Sequence, residues 1–211
     1  MLKQISQYFS QYGQEFAELV WQHLSLSGLA LLLALIIGVP LGYLSYKKQS
    51  IKQFVTMLTQ GLRVIPSLGI LFLLIPLIGV GLIPALIALV ILAIPPILLN
   101  TIVGFSEVPS QLIEAGIGLG MTQGQLLRKV TFPLALPHIL NGIKLAQVEI
   151  IASASLATYI GAGGLGTLIF TGLGLYRYDL LVIGGASVAC LSFLSMLLFD
   201  KWIKGVITYE K

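Results

Sequence analysis

Apolar side chains in this chain gather into runs far longer than a soluble core requires. Leu24 to Tyr46 carries no charged residue and closes against Lys47, Lys48 and Lys52. A second charge-free stretch runs from Val64 to Ser106, interrupted by Gly79, Gly81 and Pro84. That is about twice the roughly 20 residues that cross a hydrocarbon core about 30 Å thick. It predicts two helices, Phe54 to Leu77 and Leu82 to Ile102, joined by a tight turn. Two further spans are expected at His138 to Ile160 and Leu180 to Phe199. The pattern describes an all-α polytopic membrane protein with about five transmembrane helices.

The remaining segments have a different texture. In residues 1–23, Ile5, Tyr8, Phe9, Tyr12, Phe16, Leu19 and Val20 recur at helical spacing among Gln and Ser. This predicts an amphipathic helix on the outer surface, lying on the leaflet or meeting an extracellular partner. Residues 24–203 are expected to form a single transmembrane domain, and residues 204–211 a cytoplasmic tail. Residues 104–136, between the third and fourth spans, are more polar and belong in water or at the interface. Here Glu107 to Leu119 is a helix candidate, and Thr122 with Gln125 offers a capping box for a second helix. Gly120 stands between them, where a chain reversal needs a residue tolerant of positive φ.

Composition narrows the class. Hydrophobic residues make up 57% of the 211 and charged residues 9%, against about 25% charged in soluble domains. A soluble enzyme and a disordered chain are both excluded. The net charge of +4 is too small for a surface that tracks nucleic-acid phosphates. Basic residues report orientation instead. With the N-terminus outside and the C-terminus inside, all 12 Lys and Arg except Lys3 and Arg177 fall on the inner side. The first apolar run starts too late and is too long to be a cleaved signal. Cys190 is single, so no internal disulfide forms.

The polar segment carries the informative motif. Glu114-Ala115-Gly116 is followed after three residues by Gly120, and after nine more by Val130-Thr131-Phe132-Pro133. This resembles the EAA loop of bacterial ABC importer permeases, Glu-Ala-Ala, three residues, Gly, nine residues, Ile-x-Leu-Pro. Gly116 stands for the second Ala, Val130 for the Ile and Phe132 for the Leu. Further pieces are similar to the osmoprotectant branch, which takes up glycine betaine, carnitine or choline. They are Val39-Pro40-Leu41-Gly42, Ile65-Pro66-Ser67-Leu68, Leu77-Ile78-Gly79-Val80-Gly81, Asn100-Thr101 and Ile160-Gly161-Ala162-Gly163-Gly164-Leu165-Gly166. The last is shared with methionine-type permeases. Departures from the branch are Arg63 in place of Gln, Leu99 in place of Arg, and Glu149.

The resemblance implies a machine. Two short helices of the loop form an elbow docked on an ATPase subunit, with Glu114 the coupling glutamate and Pro133 and Pro137 closing the elbow and starting the fourth span. ATP and Mg are used by that partner, and no cofactor is bound by this chain. An extracellular binding protein supplies cargo, and a second permease, identical or related, completes the pathway in the bacterial plasma membrane. The alternatives are a related importer for an amino acid such as methionine and an autonomous secondary transporter.

Other candidates carry less. Gly161, Gly163 and Gly166 match the dinucleotide pattern GxGxxG, but they follow a membrane helix and not a strand. With Gly164 they read as a tight turn at the outer gate. No Gly-Lys dipeptide occurs, so there is no Walker A loop and the chain is no ATPase. His23 and His138 sit near predicted helix ends without metal-ligand spacing. Glu149 lies near mid-bilayer, where a lone charge costs roughly 3 kcal/mol even on a lenient scale. It faces a pathway or makes a contact between helices. Ser153 in the small-residue run Ala152 to Ser155, with Thr158, is expected at a pathway or interface. Asn100 and Ser67 are further lining candidates. Pro66 is expected to kink the second span and free a carbonyl toward the cavity.

Overall fold

A computed structural model describes residues 2–208. All of their regular elements are helical. Element α1, Leu2–Lys47, is two helices joined across a kink at Tyr12 (φ −123°, ψ 22°). The part after the kink runs about 50 Å at the helical rise and is longer than a bilayer core. The expected boundary after residue 23 therefore has no break, and His23 lies inside the helix and not near an end. Part of the apolar stripe is covered by the chain itself, while Phe9 and Tyr12 stay exposed. Tyr8 and Leu19 are buried with Leu165, Leu168, Leu180 and Ile183, because the start of α1 packs on later elements of the same chain.

The second span departs further from expectation. It is two helices, α2 (Gln49–Val64) and α3 (Ser67–Ile78), bent 98° against each other. Pro66 forces this: the residue before a proline is driven out of helical geometry, and Ile65 is extended at φ −77°, ψ 123°. A carbonyl was expected to be freed toward the cavity. The carbonyl that Pro66 deprives of its helical donor is that of Leu62, and it accepts the Ile65 N–H at 3.2 Å.

Helix α4 (Leu82–Ser106) is the central element. It packs against α1 and against α7 (Phe132–Ala157), burying Leu89, Ala93, Ile97 and Leu98. Small residues allow the close approach. A Cβ at Gly142 of α7 would stand 2.7 Å from the Asn100 Cβ, and one at Gly104 2.7 Å from the Ala135 carbonyl oxygen. Helix α9 (Tyr178–Thr208) closes the bundle and is tied to α7 by Lys144 Nζ donating to Asp200 Oδ1 at 2.7 Å. It runs through Thr208, so the expected tail from residue 204 is helical there, and residues 209–211 lie outside the described residues. Among the described residues four helices are long and apolar enough to cross a membrane, or up to five if the bent α2–α3 pair counts as one span.

Candidate functional site

Three places hold the residues singled out by the sequence, two of them at opposite ends of α7. At the first end lies the elbow. Helix α5 (Ser110–Gly118) starts later than expected because Pro109 sets its N-cap. It ends at Gly120 (φ +75°), with Gly120 N–H donating to the Ile117 carbonyl (2.9 Å) and Met121 N–H to the Gly116 carbonyl (3.1 Å). This is a Schellman reversal, and the left-handed residue it needs is Gly120. Helix α6 (Gln123–Leu126) begins with the expected capping box: Gln125 N–H donates to Thr122 Oγ1, and Thr122 N–H to Gln125 Oε1.

The elbow was expected to end at Pro133 and Pro137, with a new span starting there. Instead α6 runs through a π-turn, Leu127–Thr131, straight into α7. Pro133 lacks the N–H that a regular helix needs, and a local π adjustment re-satisfies the backbone without breaking the rod. Val130 lies in that π-turn. Glu114 and Ala115 are exposed on α5. Gly116 is buried, and a Cβ there would meet Leu126 Cδ1 at 2.7 Å, so alanine at this position requires the Leu126 side chain to shift. Leu119 is 79% and Ile117 60% exposed, an apolar surface beside Glu114 with nothing of this chain over it. Behind the elbow, Tyr43, Tyr46 and Lys47 of α1 face Ile113, Ile117 and Met121 across a cleft of about 440 Å³. Glu107 Oε2, at the end of α4, accepts from His138 Nε2 at 2.9 Å.

The glycine turn occupies the far end of α7, after the short turn Thr158–Ile160. Gly161, Gly163 and Gly164 all have positive φ, and Gly166 opens the short helix α8 (Gly166–Gly174), which the hydropathy pattern did not reveal. The turn is held from several sides. Gly164 N–H donates to Gln22 Oε1 of α1 at 3.0 Å, and Gly81 N–H to the Ile160 carbonyl at 2.6 Å. Thr158 Oγ1 donates to the Gly163 carbonyl at 2.7 Å, so Thr158 serves this turn. His23 Nε2 stands 3.0 Å from the Ile151 carbonyl.

The third place is a cleft of about 310 Å³ lined by Leu62, Arg63, Ile65, Pro66, Ser67, Ile91, Leu92, Pro95, Glu149 and Ser153. Pro66, Ser67, Glu149 and Ser153, expected together at a pathway or interface, do share this surface. Asn100 is not part of it: its Nδ2 donates to the Pro96 carbonyl at 2.8 Å within α4. Arg63 was not expected here. The signal was present, because a charged residue three positions before a membrane-embedded proline lands beside the break itself.

Comparisons with known proteins agree with this geometry. Residues 19–206 match the family described as "Binding-protein-dependent transport system inner membrane component". The chain is 46% identical over 179 residues to the carnitine transport permease protein OpuCB of Listeria monocytogenes, covering 85% of this chain and 82% of that one. It is 37% identical over 188 residues to the choline transport system permease protein OpuBB of Bacillus subtilis (strain 168), covering 89% and 87%. Its fold is similar to a chain of the inward-facing MetNI methionine ABC transporter, with TM-score 0.82, 25% identity, and coverage of 90% and 95%.

Proposed function

Because the chain belongs to the binding-protein-dependent transport system inner membrane component family, and is thus a membrane-embedded permease of an ABC importer, we propose that its elbow receives the force of ATP hydrolysis for uptake of a quaternary ammonium osmoprotectant. One observation carries the coupling assignment. The exposed face of Glu114, Ile117 and Leu119 is joined through α6 and the π-turn to a helix that crosses the bundle, so a push on the elbow moves α7 as a lever. The ATPase docks on this face from the cytoplasm, which puts the glycine turn on the outside, where a substrate-binding protein delivers cargo. A second permease subunit faces the first across the pathway. ATP and Mg belong to the ATPase, and this chain binds no cofactor and performs no catalysis.

The cargo reading rests on the relatives named for carnitine and choline, at 46% and 37% identity. The methionine transporter chain is similar at 25%, which supports the shared architecture more than a shared cargo.

Glu114→Lys tests the coupling. The importer is reconstituted in proteoliposomes with its ATPase and binding protein, and uptake of labelled glycine betaine is followed with and without ATP. The variant is expected to insert and fold as the wild type does but to lose uptake and binding-protein-stimulated ATP hydrolysis together. Full uptake by the variant removes the elbow from the mechanism, and full uptake by the wild type without ATPase makes the chain a secondary transporter.

A further inference from the structure

Two of the three departures from the osmoprotectant pattern, Arg63 and Glu149, are far apart in sequence and on different helices, α2 and α7. They line the same cleft. Both are exposed in it, and neither has a salt-bridge or hydrogen-bond partner among the described residues, although the Arg63 charge reaches the Glu149 carboxylate across the cleft. The basic group on α7 behaves differently, since Lys144 is satisfied by Asp200 at 2.7 Å. Opposite charges at membrane depth that face each other without closing into a salt bridge leave room for water or a solute between them, and intramembrane charges mark pathways by default.

The rest of the lining fits a small polar solute. Ser67 and Ser153 add two hydroxyls. Pro95 and Pro96 lack N–H groups, so the carbonyls of Ile91 and Leu92, both cleft residues, lose their regular helical donors. These oxygens and the Glu149 carboxylate favour a cation, while the Arg63 guanidinium is the natural clamp for a carboxylate. Ile65, Leu62 and Leu92 supply apolar wall for methyl groups. The volume is at the small end of ligand sites, which start at about 300 Å³.

The geometry points to a transit subsite that selects a zwitterion, with Glu149 holding the quaternary ammonium end and Arg63 the carboxylate end of a betaine-type cargo. The inference rests on the osmoprotectant reading and deepens it: a simple cation such as choline would leave Arg63 unpaired and repelled. Specificity then resides partly in the permease and not solely in the binding protein.

The test uses the reconstituted importer with its ATPase and binding protein, and reads labelled glycine betaine moved per ATP hydrolysed. R63A, which removes the donor that the branch's usual Gln would still offer a carboxylate, and E149Q are each expected to lower this ratio at least about tenfold while binding-protein-stimulated hydrolysis stays within about twofold. The double variant R63A/E149Q should transport no better than either single. Restored transport in the double variant would mean that the two charges only neutralise each other, and overturns the inference. Unchanged ratios in the single variants overturn it as well. If a neutral variant fails to assemble, R63K and E149D, which keep the charges, must retain uptake within about threefold, and loss in both overturns the assignment. A wild type that imports choline but neither glycine betaine nor carnitine overturns the zwitterion assignment and leaves the osmoprotectant reading standing. Import of none of the three overturns that reading and this inference with it.

Discussion

The chain reverses direction at each end of α7, and glycine with positive φ marks both reversals. At the glycine turn, Gly164 is buried against His23, its N–H is bonded to Gln22, and Gly81 donates to the neighbouring Ile160 carbonyl. At the elbow, the positive-φ Gly120 has open space where its Cβ would be, and apolar Leu119 beside it is exposed. One reversal is completed by the chain's own α1 and α4; the other is completed within its own backbone and leaves its outer face vacant. A turn that needs the rest of the molecule is structural, and the turn that leaves its apolar face uncovered is the one on which we place the ATPase.

The same substitution at the two turns breaks the comparison most sharply. A Cβ at Gly166 would collide with the Ser155 backbone carbonyl, and backbone cannot step aside as a flexible side chain can. Gly166→Ala is expected to cost about 3 kcal/mol, at the upper end of overpacking, and to appear as loss of folded permease in a thermal-shift assay in detergent. Gly120→Ala meets nothing, so it costs only the left-handed backbone penalty of about 1–2 kcal/mol. Equal losses at the two sites would mean that the elbow is as tightly constrained as the glycine turn.

Gln22→Ala probes the tie between α1 and the glycine turn. It leaves the half-buried Gly164 N–H without its acceptor, and a lost partner of this kind costs about 1 kcal/mol or somewhat more. The measurement is denaturant unfolding of the variant against wild type. A change within error would show that the turn is held by packing alone.

How far these differences were legible in the sequence depends on the kind of interaction. The apolar runs located α4 and most of α1, α7 and α9, because a membrane helix is recognised by length and hydropathy alone. The capping box at Thr122 and the reversal at Gly120 were readable as well, since both are local. Of the proline effects, the kink at Pro66 was readable but not its 98° size, and the others were not: Pro133 is absorbed in a π-turn, and Pro95 and Pro96 stay inside α4. Which outcome a proline takes depends on whether neighbouring groups re-satisfy the backbone, and that is a tertiary property. Local pattern likewise could not show that the stripe of Tyr8 and Leu19 packs on α8 and α9, or that Arg63 meets Glu149 in one cleft. The short helix α8 carries no periodic signature long enough to be seen.

Leu119→Ser is expected to have the smallest effect on the permease itself. Leu119 is 79% exposed, so little buried area is lost, and surface substitutions of this kind stay within about 0.5 kcal/mol. The effect should appear only when the ATPase is added. If Leu119 and Ile117 insert into that partner, removing one of two apolar anchors weakens assembly by about tenfold, equivalent to about 1.4 kcal/mol. The measurement is titration of the purified ATPase against permease in nanodiscs. A variant that loses stability alone but binds the ATPase normally would assign Leu119 to the permease fold, and the elbow would then resemble the glycine turn. Weakened binding with unchanged stability separates the two reversals by what completes them.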